Sequence, residues 1–274
     1  MNHCSPVEST RDMNICKTTL LLLLVTVPFS TRAFDHTYQE YDRVLRDIVV
    51  EKGLQTAVDY NRLHNDPAKL DEFTKSIENV SRSEYDSWSK EQQLAFLINA
   101  YNALTLKLIV MHYPGIKSIK DIGGFFTGPW KQKFFMLFGE DSYLDHIEHD
   151  LIRKDFSEPR IHFAINCASR GCPALQPEAY VADKLDAQLE HAARSFLMDT
   201  ERNRYNKEKN RLEISSLFKW FNNDFERAAG SVEAFIAPYI TDETGLRDKI
   251  TGNEISIRYL DYDWDLNDAV QSKN

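Results

Sequence analysis

Between Ser89 and Pro114 the sequence leaves the chain little choice. Leu94, Leu97, Ile98, Tyr101, Leu104, Leu108 and Met111 recur at helical spacing, and Ala95, Phe96 and Ile109 widen the stripe beyond one face. A helix this apolar has no comfortable surface position, so the rest of the fold must be wrapped around it. Ser89 and Gln92 match a capping box at its start, and Pro114 marks where it must have stopped. Its polar interruptions, Asn99 and Asn102, are three residues apart and share nearly one side, inside a segment that otherwise seeks burial. Buried amides must find partners.

The flanking pattern is helix-rich. Tyr41, Val44, Leu45, Ile48 and Val49 predict a helix over 38–50, and Pro67, capped by Asp66, opens another to about Glu78. Lys133 to Phe138 reads as a strand, followed by a tight turn at Gly139 to Asp141 and a helix from Ser142 through Lys154. Arg160 to Asn166 has the clearest alternation in the chain and reads as its best strand. A polar loop holding Cys167 and Cys172 follows it. Then come a helix over 177–198, a hairpin around Lys209 and Asn210, short helices over 217–222 and 232–237, and a closing strand over 255–260. Scattered strands among many helices indicate an α+β domain: one helix-rich unit with a central helix on a small, mostly antiparallel sheet. No repeat, low-complexity tract or Gly/Ser/Pro-rich linker marks a second domain over 34–274.

The amino-terminal end reads as a targeting segment. From Thr18 the chain runs TTLLLLLVTVPFS, with Lys17 before it and Ser30, Thr31, Arg32 and Ala33 after it. That is a basic lead, an apolar run too short to span a bilayer and small residues for a cut after Ala33, so residues 1–33 are expected to be a signal peptide. Met13 is the better start of that element. No later stretch reads as a membrane span, and the product is expected to be periplasmic or secreted, with no membrane contact after cleavage. The full chain has a net charge of −9, and removing the leader leaves −10. Such a surface repels nucleic-acid phosphates, which leaves a small molecule or a peptide as the expected ligand. Cys4 and Cys16 leave with the leader, so the remaining cysteines are Cys167 and Cys172. In an oxidising compartment such a pair closes readily into a disulfide.

Three chemistries compete for the polar residues. In the first, Cys167 is a nucleophile and His162 or His149 its base, with Glu148 or Asn102 orienting the imidazole; this suits acyl hydrolysis or transfer on peptide or amide-like substrates. In the second, His146, Glu148 and His149, joined by His162, hold a metal, although the spacing lacks the HExxH arrangement. In the third, Asn99, Asn102, His149, Arg153, His162 and Asn166 form a buried network in a non-catalytic binding or structural domain stapled by Cys167 and Cys172. No cofactor motif accompanies any of them. Trp130, Trp220, Tyr262 and Trp264 read as core and closing contacts rather than a ligand cage.

Four segments carry a family resemblance: NAYNA at 99–103, IEHDLIR at 147–153, RIHFAINCASRGCP at 160–173 and YLDYDWDLN at 259–267. Over roughly 91–267 the chain resembles the domain-of-unknown-function family five-four-seven. That resemblance implies no reaction. The order of elements is also similar to the papain and transglutaminase group, from which the chain departs in carrying Asn99 and Asn102, and no cysteine, on its central helix.

Overall fold

The computed structural model describes residue 1, residues 33–124 and residues 127–270. The chain divides into two units, Met1–Ala33 and Phe34–Asn274, and every element below belongs to the second. The signal-peptide expectation, apart from Met1 and Ala33 themselves, lies outside the described residues.

Helix α1 (Gln39–Ile48) leads directly into a hairpin of β1 (Val49–Lys52) and β2 (Gln55–Val58), then α2 (Tyr60–Asn65), α3 (Ala68–Glu78) and the short α4 (Arg82–Asp86). The long helix α5 (Lys90–Val110) follows, opened by the expected capping box between Ser89 and Gln92. Its companions are mostly helices, α2 and α3 among them. Contrary to the sequence reading, α5 is long and apolar enough to cross a membrane, but its apolar window is 94% buried inside the protein. The helix is the spine of the larger hydrophobic cluster, which gathers Tyr41, Leu45, Phe73, Phe96 and Leu104.

A second antiparallel hairpin, β3 (Phe135–Leu137) with β4 (Glu140–Ser142), sits where the strand and tight turn were expected. The next element departs from the expected regular helix. His146–Ile152 is a π-helix that passes into α6 (Arg153–Asp155). The segment read as the best strand is not one: Pro159–Phe163 is a 3₁₀ helix capped by the Glu158 carboxylate on the Arg160 N–H. Alternation misleads here because Ile161, His162, Phe163, Ala164, Ile165 and Asn166 are all buried, so the two sides of the segment carry no inside and outside.

Helix α7 (Leu185–Leu197) starts later than expected, after a 3₁₀ turn at Ala182–Lys184. The remainder comprises β5 (Arg204–Asn206), β6 (Arg211–Ser215), α8 (Leu217–Trp220), α9 (Asn222–Ala229), α10 (Val232–Ile240), α11 (Thr244–Thr251) and β7 (Ser256–Leu260). Strands β5 and β6 form the hairpin turned at Lys209 and Asn210, while β7 joins β6 in parallel. These elements enclose a second, aromatic cluster built from Phe163, Phe196, Phe218 and Phe225 with Ile214 and Ile236. The α+β class stands, with three small sheets of two, two and three strands among the described residues.

Candidate functional site

The cysteine loop is held from two directions. Asn166 grips it from within: its side-chain oxygen accepts from the Ala168 N–H at 2.8 Å and its amide donates to the Pro173 carbonyl at 2.7 Å. The carboxy-terminal stretch grips it from outside, as the Arg170 and Gly171 N–H groups donate to the Asp265 and Asp263 carbonyls, each at 2.8 Å. A side chain at Gly171 would meet the Tyr262 ring and the Asp263 carbonyl at 2.9 Å, so this close approach requires glycine. Within the loop Cys167 and Cys172 form a disulfide, with Cα atoms 6.2 Å apart.

Beside that loop lies a cavity of about 360 Å³. This is the size and mixed character of a small-ligand pocket. One side is acidic and basic: Asp145, Glu148, His149 and Arg153 from the π-helix region, and His162 from the 3₁₀ turn. The rest of the lining is largely aromatic, with Trp130, Trp220, Phe221, Tyr262 and Trp264. Trp220 and Trp264 stack at 5.6 Å, and Tyr262 packs on both at 4.8 and 4.6 Å. The sequence reading of these rings as closing contacts is therefore corrected in part: they touch one another, and they line the cavity. Cys167 and Cys172 contribute its floor.

The polar wall is electrostatically tense. Glu148 is buried, and loss of hydration lifts its carboxyl to about 7 in spite of a hydrogen bond from Tyr101. Burial likewise pushes the His162 imidazolium down to about 4, with Asp224 only partly offsetting it, so the ring is neutral near pH 7. His162 Nε2 lies 2.8 Å from Asp224 Oδ2. Asp224 resists the upward push of its own burial because His162 and Arg153 hydrogen-bond to it, and stays well below the ordinary carboxylate range. A carboxylate there accepts, which assigns the His162 proton to Nε2 and leaves a lone pair on Nδ1. That Nδ1 is buried and has no hydrogen-bond partner. The ring itself is fixed by stacking on Phe221, 3.9 Å between centroids.

Arg153 knits the wall together, donating to Asp224 at 2.6 Å and to His149 Nδ1 at 2.8 Å. Glu148 and His149, adjacent in sequence on the π-helix, both reach the cavity.

Of the residues singled out from sequence, Glu148, His149, His162 and Cys167 thus share one cavity. Asn102 does not line it. Its amide donates to the Ala164 carbonyl at 2.9 Å and its oxygen accepts from the Asn166 N–H at 2.8 Å, so it holds the site's backbone from behind. No histidine is a partner of the Cys167 sulfur, whose neighbours are Ser169 Oγ at 3.3 Å and Tyr262 Oη at 3.4 Å. In the disulfide state Cys167 has no thiolate with which to attack. His146 bonds Ser142 Oγ at 2.8 Å, and no cluster of three or more His, Cys, Asp or Glu among the described residues is placed to hold a metal ion. Sequence reasoning missed Asp224, which lies 62 residues from His162 in an unremarkable NNDF run; no local signal points to it.

Residues 85–197 match the family model described as "Protein of unknown function, DUF547". Over that stretch the chain is similar to the DUF547 family. The NAYNA, IEHDLIR and RIHFAINCASRGCP segments fall within it, and YLDYDWDLN falls beyond. No curated protein and no solved structure matches the chain. The DUF547 stretch supplies Tyr101, Glu148, Arg153, His162 and both cysteines, whereas Trp220, Asp224, Tyr262 and Trp264 come from residues outside it.

Proposed function

We propose that the chain is exported and that its Phe34–Asn274 unit is a binding domain for a small peptide or amide-like ligand, its pocket loop stapled by Cys167 and Cys172. The observation that carries this reading is the unpartnered Nδ1 of His162, a residue lining a cavity that is otherwise rich in aromatic rings. A buried polar atom left without a partner is costly, and a ligand donor is one way to satisfy it. Glu148, titrating near neutrality, supplies the complementary proton donor. An amide group offers one donor and one acceptor in one plane, which suits both groups and leaves a flat face for Trp220 and Trp264. The net charge of −9 disfavours nucleic acid as the occupant.

Titration of the tryptophan fluorescence with a panel of capped dipeptide amides tests the proposal. Saturable quenching is expected, weakened about tenfold in Glu148→Leu, which has no proton to donate, the factor that one hydrogen bond contributes. Fluorescence and melting temperature both unmoved by millimolar amides would end this reading.

A second reading is favoured by the shared pocket of Cys167 and His162, with Asp224 on the imidazole's far nitrogen. Once reduced, Cys167 is a candidate nucleophile for acyl hydrolysis or transfer, with His162 as base and Asp224 holding its tautomer. Reduced protein should then cleave a peptide anilide and Cys167→Ala should not. Equal rates from the two would remove the acyl reading and leave ligand binding untouched.

A further inference from the structure

The two sulfurs of the loop are not equivalent. Cys167 is partly exposed at the cavity floor, whereas Cys172 is 4% exposed. Both sulfurs lie near hydroxyls, Cys167 Sγ being 3.3 Å from Ser169 Oγ and 3.4 Å from Tyr262 Oη, but only the buried one also faces a backbone N–H. The Cys167 N–H lies 2.9 Å from Cys172 Sγ, and the Tyr262 hydroxyl donates to it at 3.2 Å while accepting from Ser169 Oγ at 3.2 Å. A neutral disulfide sulfur gains little from such donors, but a thiolate in the same place would gain much, because hydrogen bonds to an ionised acceptor are roughly twice as strong. Thiol–disulfide exchange goes faster when the departing sulfur is the better stabilised anion. The loop is therefore arranged for attack at one end and departure at the other.

We propose that Cys167 and Cys172 are a redox-active pair that oxidises an organic thiol entering the cavity, with Cys167 the sulfur attacked and Cys172 the leaving thiolate. In the first step the substrate thiolate forms a bond to Cys167 Sγ, the Cys167–Cys172 bond breaks, and its electron pair stays on Cys172 Sγ. In the second, another substrate thiolate attacks the substrate sulfur of that mixed disulfide and expels Cys167 as a thiolate. Two thiols have become one disulfide, two electrons have passed to the protein, and the two thiol protons end on Cys167 and Cys172 or in solvent. Nothing else is consumed. Asn166 fastens Ala168 and Pro173 without help from the sulfur bond, so the reduced cysteines stay adjacent and the cycle is reversible by any external disulfide. This activity does not depend on the ligand-binding reading, since the thiol itself is the substrate.

The test uses the oxidised full chain with two probes in separate arms, reduced glutathione and a reduced peptide bearing two cysteines, which distinguish a small-molecule from a polypeptide thiol. Acid quenching, alkylation and peptide mapping should find the probe on Cys167 and the alkyl label on Cys172. Exchange by either probe should run at least about tenfold faster than in a linear 160–173 peptide closed by the same disulfide, the advantage that one hydrogen bond to the leaving thiolate supplies. Tyr262→Phe should lose about that factor, and Ser169→Ala, which leaves the ring in place, should lose part of it. Mapping of the probe to Cys172, rates equal to the linear peptide in both arms, or reaction only after denaturation would each overturn the proposal. The mapping and the linear-peptide comparison need no variant, so they decide the matter even if Tyr262→Phe does not fold.

Discussion

Asn99 and Asn102 on helix α5 and Glu148 and His162 beside the cavity are all buried polar side chains, yet they are treated in opposite ways. Each asparagine uses both ends of its amide. Asn99 donates to the Tyr180 carbonyl at 2.7 Å and accepts from the Tyr180 N–H at 2.9 Å, and Asn102 clasps Ala164 and Asn166 in the same manner. These groups replace missing secondary structure, supplying the backbone bonds that a strand partner would otherwise give. Glu148 and His162 are left short: one carboxyl strained toward protonation and one ring nitrogen with no partner. Completed polar contacts in the core build the scaffold, and the incomplete ones beside the cavity are those on which the proposed ligand would act.

The contrast is sharpest in what mutation should do. Asn102→Leu strands a buried carbonyl and a buried N–H, each costing about 1–3 kcal/mol, and should lower unfolding stability by about 4 kcal/mol in chemical denaturation. A loss under about 1 kcal/mol would break the distinction drawn here.

For the incomplete pair the effect should appear in pH dependence, with opposite signs. Glu148 titrates near 4.5 when unfolded and near 7 when folded, so between those values the native state holds the extra proton and its stabilising contribution falls as pH rises. His162 goes the other way: the unfolded ring, near 6.5, holds a proton that the folded ring, near 4, has released, so stability climbs with pH across that window. The two slopes oppose each other and mask one another in the wild type. Glu148→Gln should gain on the wild type by about 3 kcal/mol from pH 4.5 to pH 7. His162→Gln, which keeps a donor for Asp224, should lose its advantage by a similar amount, about 3 kcal/mol, from pH 4 to pH 6.5. Denaturation midpoints at four or five pH values suffice, and parallel curves for both variants and the wild type would show that neither group titrates as the geometry requires.

The smallest stability effect belongs to the aromatic wall. Trp220 is 47% exposed, so Trp220→Ala should move the unfolding midpoint by no more than about 1 kcal/mol, while weakening any pocket ligand about tenfold. A large stability loss with unchanged affinity would return this ring to the role of a closing contact.

What the sequence disclosed follows the range of the forces involved. Helix α5 was legible because cap, stripe and stop are local, and so was the hairpin at Lys209 and Asn210. Helix α7 starts later than its periodicity suggests because Tyr180 is held by Asn99 from 81 positions away and Ala179 by Asp42 from 137. The Arg160 to Asn166 segment defeated alternation by being buried on every side, and the π-helix gave no sign of itself in spacing tuned to a regular turn. Glu148, His149, His162 and Cys167, named from their chemistry, line one cavity, whereas Asn102 stands behind it and no imidazole bonds the Cys167 sulfur. Asp224 and Tyr262 complete it across 62 and 95 residues, pairings that no periodicity encodes.

Strands β5 to β7 and helices α8 to α11 carry a practical warning for anyone who trims this polypeptide. Phe163, Phe196 and Leu197 belong to the matched stretch of 85–197 but bury themselves against Phe218, Phe225 and Ile236. A fragment ended at 197 would bare that aromatic surface to water and forfeit the cysteine loop's outer support, inviting aggregation rather than yielding a minimal working piece.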